Sequence, residues 1–300
     1  MSLPPFPIGA PPPGVPPQFA YAVDVPVVID TDVPCRKCSY NLRGLSTAGR
    51  CPECGTPVGV SYNGDLLRYS DPQWLETLRR GVNVILVGIV LMIFTMAAAF
   101  GLAFAKPAHM TLIMGLISMG NGLVFLAGAW LLTAPDPSGL GEDQYGKARK
   151  LIRVTLLIGL VNNAVSFAAS MQGFYKEVTI VIQVIGLMAA LVGLVGQFAQ
   201  LYYLKHLALR VPDLKLSARA NFLMYAIGIT NGVVIVFGAV GAIGLAMGST
   251  VAGVGGGCIA GLAALPLLVF WIMYIVMLER FGRSFKEQAE FARQVWAEAA

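Results

Sequence analysis

The chain has 300 residues, of which 56% are hydrophobic and 12% are charged, and its formal net charge is +5. A mean hydropathy of +0.70 excludes an ordinary soluble protein and indicates an integral membrane protein. The positive surplus falls after residue 80, in the apolar part of the chain, so we attribute it first to membrane topology.

Residues 1–30 are rich in proline and contain neither a basic segment nor an apolar run long enough for a signal peptide. Proline favours extended, solvated chain, so we expect a disordered lead. A docking peptide for an SH3-like or WW-like partner is the alternative, although most proline-rich leads are linkers.

Residues 31–62 contain two Cys-x-x-Cys pairs, formed by Cys35, Cys38, Cys51 and Cys54. Each pair places two sulfur atoms on one side of a tight turn, and two such turns can close over one ion that prefers four soft ligands. Pro52 presets the backbone of the second turn, and Gly55 can adopt the positive φ needed to leave it. The pattern predicts one structural Zn²⁺ site in a small cytoplasmic module, with room for a short hairpin between the two pairs.

Other chemistry fits this pattern less well. Disulfides are disfavoured because thiols stay reduced in the cytoplasm, where the distribution of basic residues described below is expected to place the site. A thioredoxin-like redox pair needs a βαβ pattern, which the neighbouring sequence lacks. Four protein ligands also leave no open metal position for water, so we expect no hydrolytic centre.

The run Cys-x-x-Cys-x-Tyr-x-Leu-x-Gly-Leu followed by Cys-Pro-x-Cys-Gly resembles zinc ribbons, particularly those of a group of uncharacterised bacterial multi-pass membrane proteins. The matching residues are Cys35, Cys38, Tyr40, Leu42, Gly44, Leu45, Cys51, Pro52, Cys54 and Gly55. This resemblance covers about 24 of the 300 residues and implies a small zinc-ribbon β module with a metal site, but no activity.

A more distant resemblance is to rubredoxin, whose turns read Cys-x-x-Cys-Gly-Tyr and Cys-Pro-x-Cys-Gly. It implies iron and electron transfer. Ser39 stands where rubredoxin has glycine, and the segment between the two pairs is far shorter than a rubredoxin fold needs.

Residues 63–80 predict a linker and the start of a helix at the membrane surface. Asp71 is the expected N-cap, Pro72 the first helical residue, and Trp74 an interfacial side chain.

Uncharged segments long enough to span a membrane cover residues 82–105, 107–135, 154–175, 178–204 and 220–278. The last is too long for one span, and its glycine-rich residues 248–257 predict a turn. Residues 81–278 therefore predict six transmembrane helices in three hairpins, which makes the chain an all-α polytopic membrane protein. Glycines four residues apart, at 244 and 248 and at 257 and 261, predict close packing of the last two spans.

The distribution of basic residues predicts the orientation. Twelve of the fourteen Lys and Arg residues after Gly81 fall on the side that holds both termini, and only Lys106 and Lys176 fall on the other. Basic residues in short loops stay in the cytoplasm, so both termini and the ribbon are expected on the cytoplasmic face of the inner or plasma membrane. Residues 279–300 predict an amphipathic helix on that face, or a simple continuation of the sixth span.

Few polar groups occur within the spans, and these include Asn162, Asn163 and Asn231. They either hydrogen-bond between helices or line a path for a neutral solute. Asp, Glu, Lys and Arg are missing from the predicted spans, which disfavours ion-coupled transport, and we find no catalytic constellation. Residues 141–148 imitate a P-loop, but Ala148 replaces the Ser or Thr that would hold Mg²⁺.

We therefore predict a non-enzymatic membrane protein in which the ribbon is an interaction or regulatory module on a six-helix anchor. The alternative is a channel or transporter for a neutral or apolar solute, and rubredoxin-like electron transfer is less favoured. The expected partners are the lipid bilayer and a protein that binds the ribbon. Nucleic acid is disfavoured because Tyr40 is the only aromatic residue among the basic residues of the ribbon, and homo-oligomers are left open.

Overall fold

The computed structural model describes residues 26–63, 66–105, 110–137, 142–172, 176–211, 213–246 and 248–299. Residues 1–25 of the predicted lead, and Lys106, lie outside these ranges. Within these ranges, seven α-helices follow in chain order: α1 Val58–Tyr62, α2 Pro72–Ala105, α3 Met110–Leu132, α4 Glu142–Gln172, α5 Lys176–Arg210, α6 Leu214–Ala246 and α7 Thr250–Ala299. A short 3-10 helix, Leu67–Tyr69, precedes α2.

Six of these helices, α2 to α7, are long and apolar enough to cross a membrane, which confirms the six predicted spans. Their apolar segments are Pro72–Ala98, Leu112–Leu132, Tyr145–Ala169, Val184–Arg210, Lys215–Gly244 and Gly253–Gln294. Large apolar side chains such as Phe94, Ile229 and Leu268 are exposed on the outside of the bundle, as expected for a surface in contact with lipid. The chain is a membrane-embedded helical protein.

Helices that follow one another in the chain pack together, and α7 packs back against α2. The six long helices thus form a closed ring. The largest fully buried side chains in this ring include Tyr203, Phe281 and Phe285, which lie in the half of the bundle that carries Arg210 and the end of α7.

The turn between α6 and α7 is shorter than predicted. It lies between Ala246 and Thr250, and Gly248 within it has a φ of 78°. Residues 250–257 belong to α7 instead of to the turn. Gly256 among them serves close helix packing, which outweighs the weak helix propensity of glycine.

The closest approach of α6 and α7 involves Gly241 and Gly256. A Cβ atom on Gly256 would lie 2.6 Å from the backbone nitrogen of Gly241. The predicted packing glycines are therefore wrong in part: Gly248 lies in the turn, and a Cβ on Gly257 or Gly261 would meet no atom within 4 Å.

The start of α2 follows the prediction, but Trp74 does not. Asp71 Oδ1 accepts hydrogen bonds from the backbone N–H groups of Gln73, at 2.7 Å, and Trp74, at 3.4 Å. The Trp74 indole is buried rather than interfacial, and its Nε1 donates to the carbonyl oxygen of Ala134 at 3.0 Å. Trp74 therefore joins α2 to the segment that follows α3.

The C-terminal segment continues α7 without a break to Ala299. Phe281, Phe285, Ala289 and Ala292 are buried on one face of this extension. The extension packs against α2 and against the 3-10 helix, so its apolar face is covered by protein.

Residues 26–62 form a small unit, here called the knuckle module, with a core of Ile29, Leu42 and Val58 packed against Cys35 and Cys51. Within this stretch the structure contains isolated antiparallel bridges but no β-strand; the bridges join Val28 to Ser46, Pro34 to Asn41 and Arg50 to Pro57. The predicted β ribbon is therefore not observed. Only a few residues flank each turn, which is too short for a ladder to extend.

Candidate metal centre

The first cysteine turn runs from Cys35 to Tyr40. The backbone N–H of Cys35 donates to the carbonyl oxygen of Tyr40, and the N–H of Ser39 donates to that of Cys35, both at 2.8 Å. Ser39 has a φ of 62°, a backbone conformation that residues other than glycine adopt only at a cost in conformational energy. The turn thus folds back sharply and leaves both sulfur atoms on one side.

The second turn, from Cys51 to Thr56, repeats this pattern. The N–H of Cys51 donates to the carbonyl oxygen of Thr56, and the N–H of Gly55 donates to that of Cys51, both at 2.9 Å. Gly55 has a φ of 71° and occupies the position that Ser39 holds in the first turn. The sequence predicted this role for Gly55, and the glycine that rubredoxin has at the position of Ser39 is the signal that could have predicted the same conformation there.

The two turns bring all four predicted cysteine ligands together. Their Sγ atoms all lie within 4.8 Å of one another. The closest pairs each join one sulfur from each turn: Cys35 with Cys54 and Cys38 with Cys51, both at 3.6 Å. Tetrahedral coordination with metal–sulfur bonds of about 2.3 Å separates neighbouring sulfurs by about 3.8 Å. The cluster can therefore hold one metal ion.

The first cysteine of each turn is buried, whereas Cys38 is exposed and Cys54 is half-buried. Backbone hydrogen bonds hold the surrounding loops: Leu42 N–H donates to Val33, and Val58 N–H donates to Gly49, both at 2.9 Å. The buried sulfurs thus belong to the small core of the module, which a bound ion would complete.

The thiols of Cys54 and Cys38 do not ionise alike in the absence of metal. Hydrogen bonds with Thr56 lower the pKa of Cys54 to about 6, and the bond with the Thr56 side chain has a larger effect than the bond with its backbone. The pKa of Cys38 is raised to about 12, because the lowering effect of the Tyr40 backbone N–H is outweighed by desolvation and the other three sulfur atoms. Of these two thiols, Cys54 is therefore the one that loses its proton more readily.

The basic residues of the module differ in their contacts. Arg43 lies 3.5 Å from Asp32, and Arg50 Nη1 donates to the carbonyl oxygen of Gly55 at 3.2 Å. Arg36 and Lys37 are exposed at the tip of the first turn, and in the described ranges neither side chain has a polar partner. The tip is therefore the part of the module whose positive charge is available to a partner.

The module contacts the helical bundle through aromatic rings. Gly59 in α1 packs on Tyr69, so closely that a Cβ on Gly59 would lie 2.9 Å from the phenol oxygen. The Tyr69 ring in turn meets Phe291 of α7 edge to face, with centroids 6.4 Å apart. A cavity of about 910 Å³ lies between the first turn, the start of α2 and the end of α7, and Arg36, Lys37 and Arg293 contribute to its wall.

A buried polar cluster joins the helix ends near this module. Arg210 Nη2 lies 2.8 Å from Asp136 Oδ2 and 3.1 Å from Ser70 Oγ, and Arg210 Nη1 donates to the Tyr145 hydroxyl at 2.8 Å. The Arg210 guanidinium also lies over the Trp74 ring, 5.4 Å from its centroid. The segment before α2, the segment after α3 and the end of α5 therefore meet at one end of the bundle.

Arg153 has a comparable structural role. Its Nε donates to Thr133 Oγ1 at 2.9 Å and its Nη2 to the Thr133 carbonyl oxygen at 2.8 Å, while the guanidinium stacks 4.2 Å from the Trp130 ring centroid. Arg153 thus supplies hydrogen-bond donors to carbonyl groups at the C-terminal end of α3, which have no partner within the helix. Arg153 and Arg210 entered the prediction from sequence only as basic residues that indicate the orientation in the membrane, and these contacts were not predicted.

The structure does not bring the three predicted asparagines into one lining. Asn163 Nδ2 donates to Ser118 Oγ at 3.0 Å between α4 and α3, and Asn231 Nδ2 donates to Gln197 Oε1 at 2.8 Å between α6 and α5. Asn162 Oδ1 is buried and accepts no hydrogen bond within the part of the chain described. Of the three, Asn231 lines a cavity.

Comparison with protein-family models, curated proteins and solved structures gives no match. The resemblance to bacterial membrane zinc-ribbon proteins therefore stays a prediction. What the geometry gives is a cluster of four cysteines that can bind one metal ion, carried by a six-helix membrane protein.

Proposed function

We propose that this chain is a membrane protein in which one structural Zn²⁺ folds the knuckle module, and that the module serves as an interaction or regulatory unit on the six-helix anchor. The observation that carries the proposal is the convergence of four sulfur atoms within 4.8 Å, produced by two matching turns next to the bundle. Similarity to the uncharacterised bacterial membrane zinc-ribbon proteins is part of the proposal.

Zinc is favoured because it prefers a tetrahedral set of four thiolates and supplies folding energy to units too small to bury a sufficient core. The module has only a handful of buried apolar side chains. Iron is the alternative because it accepts the same ligands, and it would bring electron transfer with it.

We place the module and both termini in the cytoplasm, at the inner or plasma membrane. The excess of Lys and Arg on one side of the spans supports this orientation. The contacts of Arg210 with Ser70 and Asp136 support it further, because they join three segments that the charge pattern assigns to one side.

The proposed partner is an acidic segment of another protein, bound at the tip of the first turn. Arg36 and Lys37 supply unneutralised positive charge there, and the adjoining cavity of about 910 Å³ offers space for an extended segment. Charge complementarity of this kind contributes mainly to specificity and to the rate of association. Tyr40 is the exposed aromatic residue of this turn, which gives little support for stacking with nucleic acid.

Elemental analysis of the purified protein tests the metal. We expect one zinc per chain and no visible absorption band, and a Cys51→Ser, Cys54→Ser variant should lose the zinc. Iron with a visible band would overturn the zinc assignment and favour electron transfer.

Affinity capture from native membranes tests the interaction. A partner captured by the wild type should be lost with the Cys51→Ser, Cys54→Ser variant and with Arg36→Glu, Lys37→Glu. Arg43→Glu is the matched control, because Arg43 already faces Asp32. A set of captured proteins unchanged by the cysteine variant would contradict the proposed role of the module.

A further inference from the structure

A second cavity, of about 330 Å³, lies inside the ring of helices. Side chains from all six long helices line it, and its polar and aromatic wall consists mainly of Thr155, Gln197, Gln200, Asn231, Trp271 and Tyr274. None of the described residues that line it carries a charge. Its volume falls at the small end of the range of ligand pockets.

Two polar side chains in the wall have no partner in the described part of the protein. Tyr274 is only 6% exposed, and its hydroxyl makes no hydrogen bond there; the Gln200 amide makes none either. A donor without a protein partner in the wall of a cavity is free to bond to a molecule inside that cavity. The Tyr274 hydroxyl is therefore a donor that a bound molecule could satisfy.

The neighbouring amides add further hydrogen-bonding capacity. Asn231 Nδ2 donates to Gln197 Oε1 at 2.8 Å, which leaves the Asn231 carbonyl oxygen and the Gln197 amino group for other contacts. Thr155 is different, because its hydroxyl donates within its own helix, to Leu151 at 2.9 Å. The polar groups that remain available thus come from α5, α6 and α7.

The remaining wall is aromatic and aliphatic. The rings of Trp271 and Tyr274 are nearly perpendicular, with centroids 5.5 Å apart, and Phe125 and Leu156 also contribute. Such a wall suits a flat apolar body, with which aromatic rings make favourable contacts. The absence of charge among the lining residues disfavours an ion as the occupant.

We propose that this cavity binds a small uncharged molecule with a ring-sized apolar body and one hydroxyl or carbonyl group, which exchanges hydrogen bonds with Tyr274, Gln200 and Asn231. The proposal does not depend on the metal or on a partner of the knuckle module. It assigns a binding site within the membrane domain.

The test uses 4-fluorophenol, with 4-fluorotoluene as a probe of the same shape that lacks the hydroxyl. Fluorine NMR of the full-length protein in lipid nanodiscs, compared with empty nanodiscs, separates saturable binding from partition into lipid. We expect saturable binding of 4-fluorophenol, competed by unlabelled phenol. Tyr274→Phe and Gln200→Leu should each weaken it about three- to tenfold, as expected for one lost hydrogen bond, and should leave 4-fluorotoluene unaffected.

Tyr225→Phe is the matched control, because Tyr225 is exposed on the outside of α6 and its loss should not alter binding of either probe. Folding of Tyr274→Phe is checked by its melting temperature, which should not fall, since the hydroxyl has no partner to lose. The proposal is overturned if the wild type shows no saturable binding, if both probes bind equally well, or if both cavity variants bind 4-fluorophenol as the wild type does.

Discussion

Asp136 and Arg210 form an ion pair in which both side chains are buried, at 2% and 8% exposure, although they lie 74 residues apart in the chain. The pair joins the segment after α3 to the end of α5, and its hydrogen bonds to Ser70 and Tyr145 extend the connection to the start of α2 and to α4. Removing the Asp136 charge would take this buried counterion away from Arg210.

Asp136→Asn should therefore destabilise the helical bundle by about 3 to 5 kcal/mol, the usual cost of breaking a buried ion pair by removing one partner. The melting temperature of the detergent-solubilised protein measures the loss. Glu279→Gln is the control, because it breaks an exposed pair with Arg283 and should cost less than about 1 kcal/mol. Equal effects of the two variants would contradict a structural role for the buried pair.

Substitutions at Ser39 and Gly55, which hold corresponding positions in the two cysteine turns, should have opposite effects on metal affinity. Ser39→Gly should strengthen metal binding about two- to fivefold, because glycine relieves the cost of the positive φ, partly offset by its greater freedom in the unfolded chain. Gly55→Ala should weaken it about five- to thirtyfold. A Cβ on Gly55 would meet no atom within 4 Å, so its effect would come from the backbone conformation alone.

Competition with a chromophoric chelator measures both affinities. If Ser39→Gly weakened binding as much as Gly55→Ala, the two turns would not be equivalent in the metal-bound state.

Alanine substitutions at two neighbouring glycines of α7, Gly256 and Gly257, should differ clearly in their effect on stability. Gly256→Ala should cost about 1 to 3 kcal/mol, because the new methyl group would meet the Gly241 backbone and force α6 and α7 apart. Gly257→Ala should be neutral, or stabilise the helix by up to about 1 kcal/mol, since a Cβ there meets nothing within 4 Å. Thermal unfolding of both variants in the same detergent decides the prediction, which fails if Gly257→Ala is the more harmful.

Metal removal should unfold the knuckle module and spare the membrane helices. After chelation, trypsin should cleave faster at Arg43 and Arg50, whereas the helical circular dichroism signal should hardly change, because α2 to α7 have their own core. Lowering the pH should act in the same direction, since protons compete with the metal for the thiolates. An unchanged cleavage rate after complete metal removal would show that the module folds without the ion.

The features that were predictable from sequence are those that depend on local pattern. The length of each apolar segment reveals the six spans, and the spacing of Cys35, Cys38, Cys51 and Cys54 predicts their convergence. Asp71 and Pro72 likewise mark the start of α2, because a capping residue acts within one turn of its helix.

The features that were missed depend on contacts between distant segments. Arg210 resembles any loop arginine until α3 and α5 place Asp136 beside it. Glycines in residues 248–257 predict a turn as readily as a close helix crossing, and the packing of Gly256 on Gly241 decides between them. The β ribbon was predicted from the resemblance to zinc ribbons, whereas the arms of these turns form only single bridges.

The unbroken length of α7 fixes a distance between two parts of the molecule. Tyr274 in the cavity and Phe291 beside Tyr69 lie on the same helix, 17 residues or about 26 Å apart along its axis. This helical segment fixes the distance between the two residues, and it also fixes the angle between their directions around the helix axis. One residue inserted between the two positions would turn Phe291 by about 100° relative to Tyr274, and so move it away from Tyr69, the ring on which Gly59 of the knuckle module packs.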